Sequence, residues 1–187
     1  MVQIVLFHAI LGLRDAERDM ADRFRDDGHS VLLPDLYAGR TAGTYAAGFA
    51  LCDEIGAETV DGRAHDALAD ASPDAILAGV SAGAARVGRL WRDRPGTRGA
   101  LLIAGPADWS GLPRPDLPVA MHLARPDPFE DEAFLDAWAA DARASSALAV
   151  HRYDGVGHCF LDPALPDYHA GAAELCLERC LAFLALV

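Results

Sequence analysis

Residues 75–94 read AILAGVSAGAARVGRLWRDR, and this stretch decides the fold. A short apolar run, Ala75 to Val80, leads into Gly79-Val80-Ser81-Ala82-Gly83. A helical pattern follows at once, with Val87, Leu90 and Trp91 on one face. Strand, sharp turn and helix with a serine at the apex make a G-x-S-x-G nucleophile turn. Such a turn holds its serine at strained backbone angles, so that the hydroxyl stands clear of the sheet. Side chains two positions either side would collide as strand and helix close, which explains Gly79 and Gly83. A glycine-rich turn that only packs a helix on a sheet is the competing reading. An acid and a histidine placed after later strands decide between the two.

Working outward, apolar strand patterns alternate with helical ones. Val2 to Phe7 reads as a central strand, followed by the loop His8-Ala9-Ile10-Leu11-Gly12. Arg14 to Asp27 is an amphipathic helix with Ala16, Met20, Ala21 and Phe24 inward, ended by Gly28. Ser30 to Leu33 is a strand, residues 36–56 are irregular with a short helix near Tyr45 to Glu54, and Thr59 to Ala71 is a helix. After the nucleophile helix come a strand at Gly99 to Ile103, a loop rich in proline and glycine from Gly105 to Pro118, and a strand at Val119 to Leu123. A helix at Asp131 to Ala142, a strand at Leu148 to Tyr153 and a helix from about Tyr168 to Leu186 complete the chain. The alternation predicts an α/β three-layer sandwich with a mostly parallel sheet of about six strands, minimal or no cap, and one domain over residues 1–187.

Charge narrows the partners. Arg plus Lys is 16 against 28 for Asp plus Glu, a net charge of −12. A basic nucleic-acid face and attraction to an anionic membrane are both excluded by that balance. The start of the chain lacks a leader pattern and no apolar run approaches a membrane span, so a cytoplasmic protein is expected, monomer or homodimer. Of the four cysteines, Cys176 and Cys180 share a helix face. Nothing nearby in sequence completes a ligand set, so they read as buried apolar thiols, with no metal site.

A serine hydroxyl needs a base within reach and an acid to orient that base. His158 lies in a loop after the last strand, behind Gly155 and Gly157. His29, His65, His122, His151 and His169 read as structural. Cys159 reads as a packing residue. Asp127 follows the strand Val119 to Leu123 between two prolines and is the preferred acid; Asp108 is the reserve. Backbone N–H groups of Ile10 and Ala82 are the candidate oxyanion donors. His8 either lines the pocket or caps its strand. Tyr37, Tyr45, Phe49, Trp109 and Phe129 are candidate pocket walls, since they sit in loops at the same end of the sheet.

The chain resembles the dienelactone hydrolase family within the α/β-hydrolases over nearly its whole length. The likeness rests on VLFHAILGL, GHSVLLPDLYAGR, GVSAG, the aspartate in ARPDPF, YDGVGHCF and the closing helix. It implies a triad at Ser81, Asp127 and His158, in the α/β-hydrolase order, and oxyanion amides at Ile10 and Ala82. Three departures stand out. Ser81 replaces the cysteine nucleophile of the prototypes. Ala9 occupies the position of their first-loop glutamate. Asp162 takes the place of an arginine that holds the substrate carboxylate, and an acid there would repel a dienelactone. The expectation is therefore a serine hydrolase of a small ester or lactone, working through an acyl-enzyme without metal or organic cofactor. A non-catalytic hydrolase-like fold that binds a small molecule or partner is the alternative. A flavodoxin-like binding domain is a poorer fit, because HAILGL lacks a phosphate cradle.

Overall fold

The computed structural model describes residues 1–109 and 114–187. Residues 110–113 of the expected Gly105 to Pro118 loop lie outside the described residues. The elements are β1 (Gln3–Phe7), α1 (Asp15–Asp26), β2 (Ser30–Leu32), α2 (Tyr45–Ile55), α3 (Ala57–Asp66), β3 (Ile76–Val80) and α4 (Ala82–Leu90). Next come a 3₁₀ turn (Trp91–Asp93), β4 (Ala100–Ile103), β5 (Pro118–Arg125), α5 (Glu132–Ser145), β6 (Ala147–Asp154) and α6 (Ala170–Leu184).

The sheet runs β2-β1-β3-β4-β5-β6 and every pairing is parallel. A parallel sheet is covered on both faces, so its central strands are apolar throughout rather than alternating. Every residue of β3 and β4 is buried accordingly. The chain moves from β1 outward to β2, then returns to the other side of β1 for β3. Right-handed crossovers put the helices before and after that reversal on opposite faces. The packing agrees, with α1 against α6 and α3 against α4. The result is the α/β-hydrolase-like three-layer sandwich that the alternation predicts. The reversal leaves a crevice between the C-terminal ends of β1 and β3, the usual ligand position in such sheets.

Local departures from the sequence reading have identifiable causes. On α1 the buried face is Glu17, Met20, Ala21 and Phe24, with Glu17 replacing Ala16. Glu17 is drawn inward by backbone N–H groups that it caps, described below. α3 starts at Ala57, directly behind Gly56, and ends at Asp66 rather than Ala71; turns bonded Leu68 N–H to His65 C=O and Ala69 N–H to Asp66 C=O replace its last stretch. β5 and β6 extend beyond their apolar cores because eight consecutive residues of each are paired. Asp131 caps α5, accepting from the N–H groups of Ala133 and Phe134. Among the described residues no helix is long and apolar enough to cross a membrane.

Candidate active site

The turn after β3 has the expected strain. Ser81 lies at φ 52°, ψ −113°, outside the regions a serine ordinarily occupies. Its N–H donates to the Ile103 carbonyl at 2.7 Å, which anchors the turn to β4. A Cβ on Gly79 would stand 2.2 Å from the Gly83 carbonyl carbon, and one on Gly83 would stand 2.2 Å from the Phe7 oxygen. Both contacts are with backbone and cannot be relieved by a rotamer change. The glycines thus let α4 close onto β3 and β1 together.

Three strand ends bring the polar side chains together. Ser81 follows β3, Asp127 follows β5 and His158 follows β6. The His158 Nδ1–H donates to the Asp127 carboxylate, with Oδ2 at 2.8 Å and Oδ1 at 3.0 Å. That tautomer leaves a lone pair on Nε2, which lies 2.9 Å from the Ser81 Oγ and accepts a hydrogen bond from its hydroxyl. Asp127 is held in turn by the Phe129 N–H, which donates to Oδ1 at 2.9 Å. Its carboxylate is fully buried. The reserve acid, Asp108, lies elsewhere, 3.6 Å from Arg92.

The first loop is braced from behind. Ile10 and Ala82 both line the cleft at Ser81. Among the described residues neither backbone N–H donates a hydrogen bond, and Ala82 opens α4, where N–H groups lack helical partners. Gly48 of α2 lets the helix rest on this loop, since a Cβ there would meet the Ile10 oxygen at 2.8 Å. Ala9 donates its N–H to the Glu17 Oε1 at 3.1 Å, and Arg14 donates its own to Oε2 at 3.2 Å. Burial pushes the Glu17 carboxyl above its ordinary value. A buried carboxyl therefore does sit beside the first loop, supplied by α1 rather than by the loop itself. Sequence reasoning missed it, although an acid three residues into a helix is a recognisable capping signal.

Some candidate pocket residues turn out to be framework. His8 is buried; its Nδ1–H donates to the Ala9 carbonyl at 2.7 Å and its Nε2 accepts the Leu36 N–H at 3.1 Å. Tyr37 packs edge-on against it, centroids 4.8 Å apart. Trp109 stacks on Trp91 at 4.3 Å. None of the three lines the cleft at Ser81. Each is an apolar or aromatic loop residue whose direction sequence position does not give. Phe129 does line it, with Tyr45 and Phe49 one helical turn apart on α2. The cleft encloses about 190 Å³.

Asp162 also requires correction. It is buried and paired with Arg14, Nε to Oδ2 2.8 Å, and lies outside the cleft lining. It therefore does not face a bound substrate. The acid that does line the cleft is Glu130, three residues after Asp127, which the sequence analysis did not single out.

The cysteine pair has a companion after all. His122 of β5 reaches Cys176 and Cys180 of α6, and the three ligand atoms lie within 4.8 Å of one another. All three residues are fully buried. The contact spans the sequence from the fifth strand to the last helix, which is why residue spacing did not reveal it. His122 Nδ1 shares a 2.8 Å hydrogen bond with the Tyr153 hydroxyl. Its Nε2 lies 3.7 Å from the Cys180 Sγ, a distance that an S–H···N hydrogen bond accounts for.

Comparison with known proteins bears on the fold and the family. The fold is similar to that of a dienelactone hydrolase-like promiscuous phosphotriesterase, P91, from metagenomic libraries, with a TM-score of 0.75, 18% identity and 99% of this chain covering 86% of that one. It is similar to a dienelactone hydrolase from Anabaena variabilis, with a TM-score of 0.67, 15% identity and coverage of 99% and 86%. The esterase PE8 gives a TM-score of 0.67, 17% identity and coverage of 100% and 92%. At such identities these likenesses establish fold alone. No curated protein sequence matches the chain. The sequence profile described as "Dienelactone hydrolase family" matches residues 1–88 and 106–187, which span the serine turn, the loop with Asp127 and the loop with His158. With nearly the whole chain matched, the protein belongs to the dienelactone hydrolase family.

Proposed function

We propose that the protein is a serine hydrolase that cleaves a small carboxylic ester or lactone through an acyl-enzyme. The observation that carries this reading is the unbroken hydrogen-bonded chain from Ser81 through His158 to Asp127, with the serine on the wall of a cleft. Ser81 Oγ attacks the carbonyl carbon while His158 Nε2 takes its proton. Asp127 fixes the imidazole tautomer and stabilises the imidazolium. The Ile10 and Ala82 N–H groups donate to the oxyanion, each contributing about 3 kcal/mol to the barrier reduction. His158 then protonates the departing alkoxide. Water, deprotonated by His158, releases the acid from Ser81.

Size and charge limit the substrate. A cleft of about 190 Å³ is well below the ~300–1,000 Å³ of drug-sized sites, which suits short acyl and alkyl groups. Among the described residues its lining holds Glu130 and neither arginine nor lysine. A dienelactone carboxylate would meet an anion without a cation to hold it, so dienelactones are not the substrate.

The test is hydrolysis of p-nitrophenyl acetate with rapid quenching and mass analysis. The expected result is one acetyl group on the peptide containing Ser81, and a loss of about 10⁴-fold or more in kcat for a folded Ser81→Ala variant. A folded wild type that neither turns over nor acylates would favour the non-catalytic alternative instead.

A further inference from the structure

The walls of the cleft carry a second message, which rests on the hydrolase reading. Tyr45, Phe49 and Phe129 form a continuous aromatic strip beside the triad. Tyr45 and Phe129 meet edge to face at 4.9 Å, Phe49 and Phe129 lie 6.5 Å apart, and Phe129 reaches the His158 ring at 4.6 Å. Phe49 and Phe129 remain about half exposed, so their rings are open to a ligand in the cleft. The Tyr45 hydroxyl donates to Asp167 at 2.6 Å, which fixes this end of the strip.

Glu130 shares the same cleft. Among the described residues it has no arginine partner, while Glu54, Glu132 and Glu174 each pair with one. Burial and the neighbouring Asp127 push its carboxyl above the ordinary glutamate value, with His158 offsetting part of that. An acid in that position gains most from a cation brought by the ligand. Aromatic rings offer the same charge their negative π faces. A neutral ligand offers Glu130 no opposite charge, and an anionic one would be repelled. The net charge of −12 draws cations toward the protein as a whole.

We infer that the cleft selects esters that carry a quaternary ammonium group close to the scissile carbonyl, with Glu130 as counter-ion and Tyr45, Phe49 and Phe129 as aromatic walls. Glu130 is then a specificity residue, and it takes no part in the bond-making steps.

The test compares matched pairs of esters that differ only in charge. One pair is acetylcholine and its uncharged isostere, in which a quaternary carbon replaces the nitrogen. The other carries the same replacement on the acyl side, in a methyl trimethylammoniobutanoate. In the wild type, kcat/KM for the charged member of at least one pair exceeds that of its isostere by about tenfold or more at low salt. Glu130→Gln brings that ratio close to one, because it lowers kcat/KM for the charged ester far more than for the neutral one, and Glu130→Asp keeps most of the preference. Phe129→Leu lowers the ratio further than it lowers the neutral rate. Ratios near one in both pairs overturn the inference, as does a ratio that Glu130→Gln leaves unchanged. Failure to cleave any of the four esters by an enzyme that turns over p-nitrophenyl acetate overturns it as well. Failure on p-nitrophenyl acetate too counts against the hydrolase reading itself.

Discussion

His158 and His122 sit in the same bonding pattern, yet their surroundings differ in every respect that matters for chemistry. Each ring has a polar partner on Nδ1 and a nucleophile-class atom on Nε2. For His158 these are the Asp127 carboxylate and the Ser81 hydroxyl. For His122 they are the Tyr153 hydroxyl and the Cys180 thiol. A carboxylate stabilises an imidazolium; a phenol pushed well above its usual value by burial stays neutral and does so far less. Burial likewise holds the Cys180 thiol well above its usual value, which suppresses the thiolate. Ser81 opens onto a cleft beside two N–H groups free to bind an oxyanion, whereas His122 and Cys180 are sealed between β5 and α6. A hydrogen-bonded relay is therefore not by itself a catalytic device. On the proposed hydrolase reading, charge on the orienting group and access for a substrate make the difference.

Substitutions can break that contrast. Asp127→Asn is expected to lower kcat about 10⁴-fold in ester hydrolysis, because the amide stabilises the wrong imidazole tautomer. Its counterpart in the core, Cys180→Ala, should leave kcat/KM within about twofold. It should cost about 1–3 kcal/mol of stability in urea denaturation, through the lost volume and the unpaired Nε2 of His122. If Cys180→Ala damaged turnover as deeply as Asp127→Asn, the distinction drawn here between the two histidines would be wrong.

A third histidine sharpens the comparison through pH. Burial lowers the His8 pKa from 6.5 to about 4. The geometry agrees, since the Leu36 N–H occupies the nitrogen that a second proton would need. Between those two values the unfolded chain takes up a proton that the folded chain refuses. Stability therefore falls as pH drops from 6.5, by on the order of 1 kcal/mol per unit, and this loss levels off below about 4. Urea midpoints measured across that range should show the slope, and His8→Gln should flatten it. An unchanged slope in the variant would remove His8 as its source.

What the sequence made legible is what short-range rules govern. Apolar runs such as 76–80 and 100–103 read as buried parallel strands because burial on both faces removes alternation. Gly79 and Gly83 marked the tight turn because a Cβ has no room there. Ser81, Asp127 and His158 stand out by their places after strands, and the topology sets such places side by side, so that the three side chains meet. Contacts between distant elements were not legible. His122 meets Cys180 across 58 positions, and Asp162 meets Arg14 from the opposite end of the chain. Nor does position give the direction of a loop side chain. Trp109 and Phe129 both follow strands, yet one stacks in the core and the other lines the cleft. Glu130 was passed over because an exposed-looking acid in an acidic protein carries no pattern of its own.

The most direct measurement of the central claim is labelling of the folded protein with a fluorophosphonate, followed by peptide mapping. The account predicts a single stoichiometric adduct on Ser81, retained in Cys180→Ala and absent from Ser81→Ala. No adduct on the folded wild type, or one carried by a different residue, would contradict it.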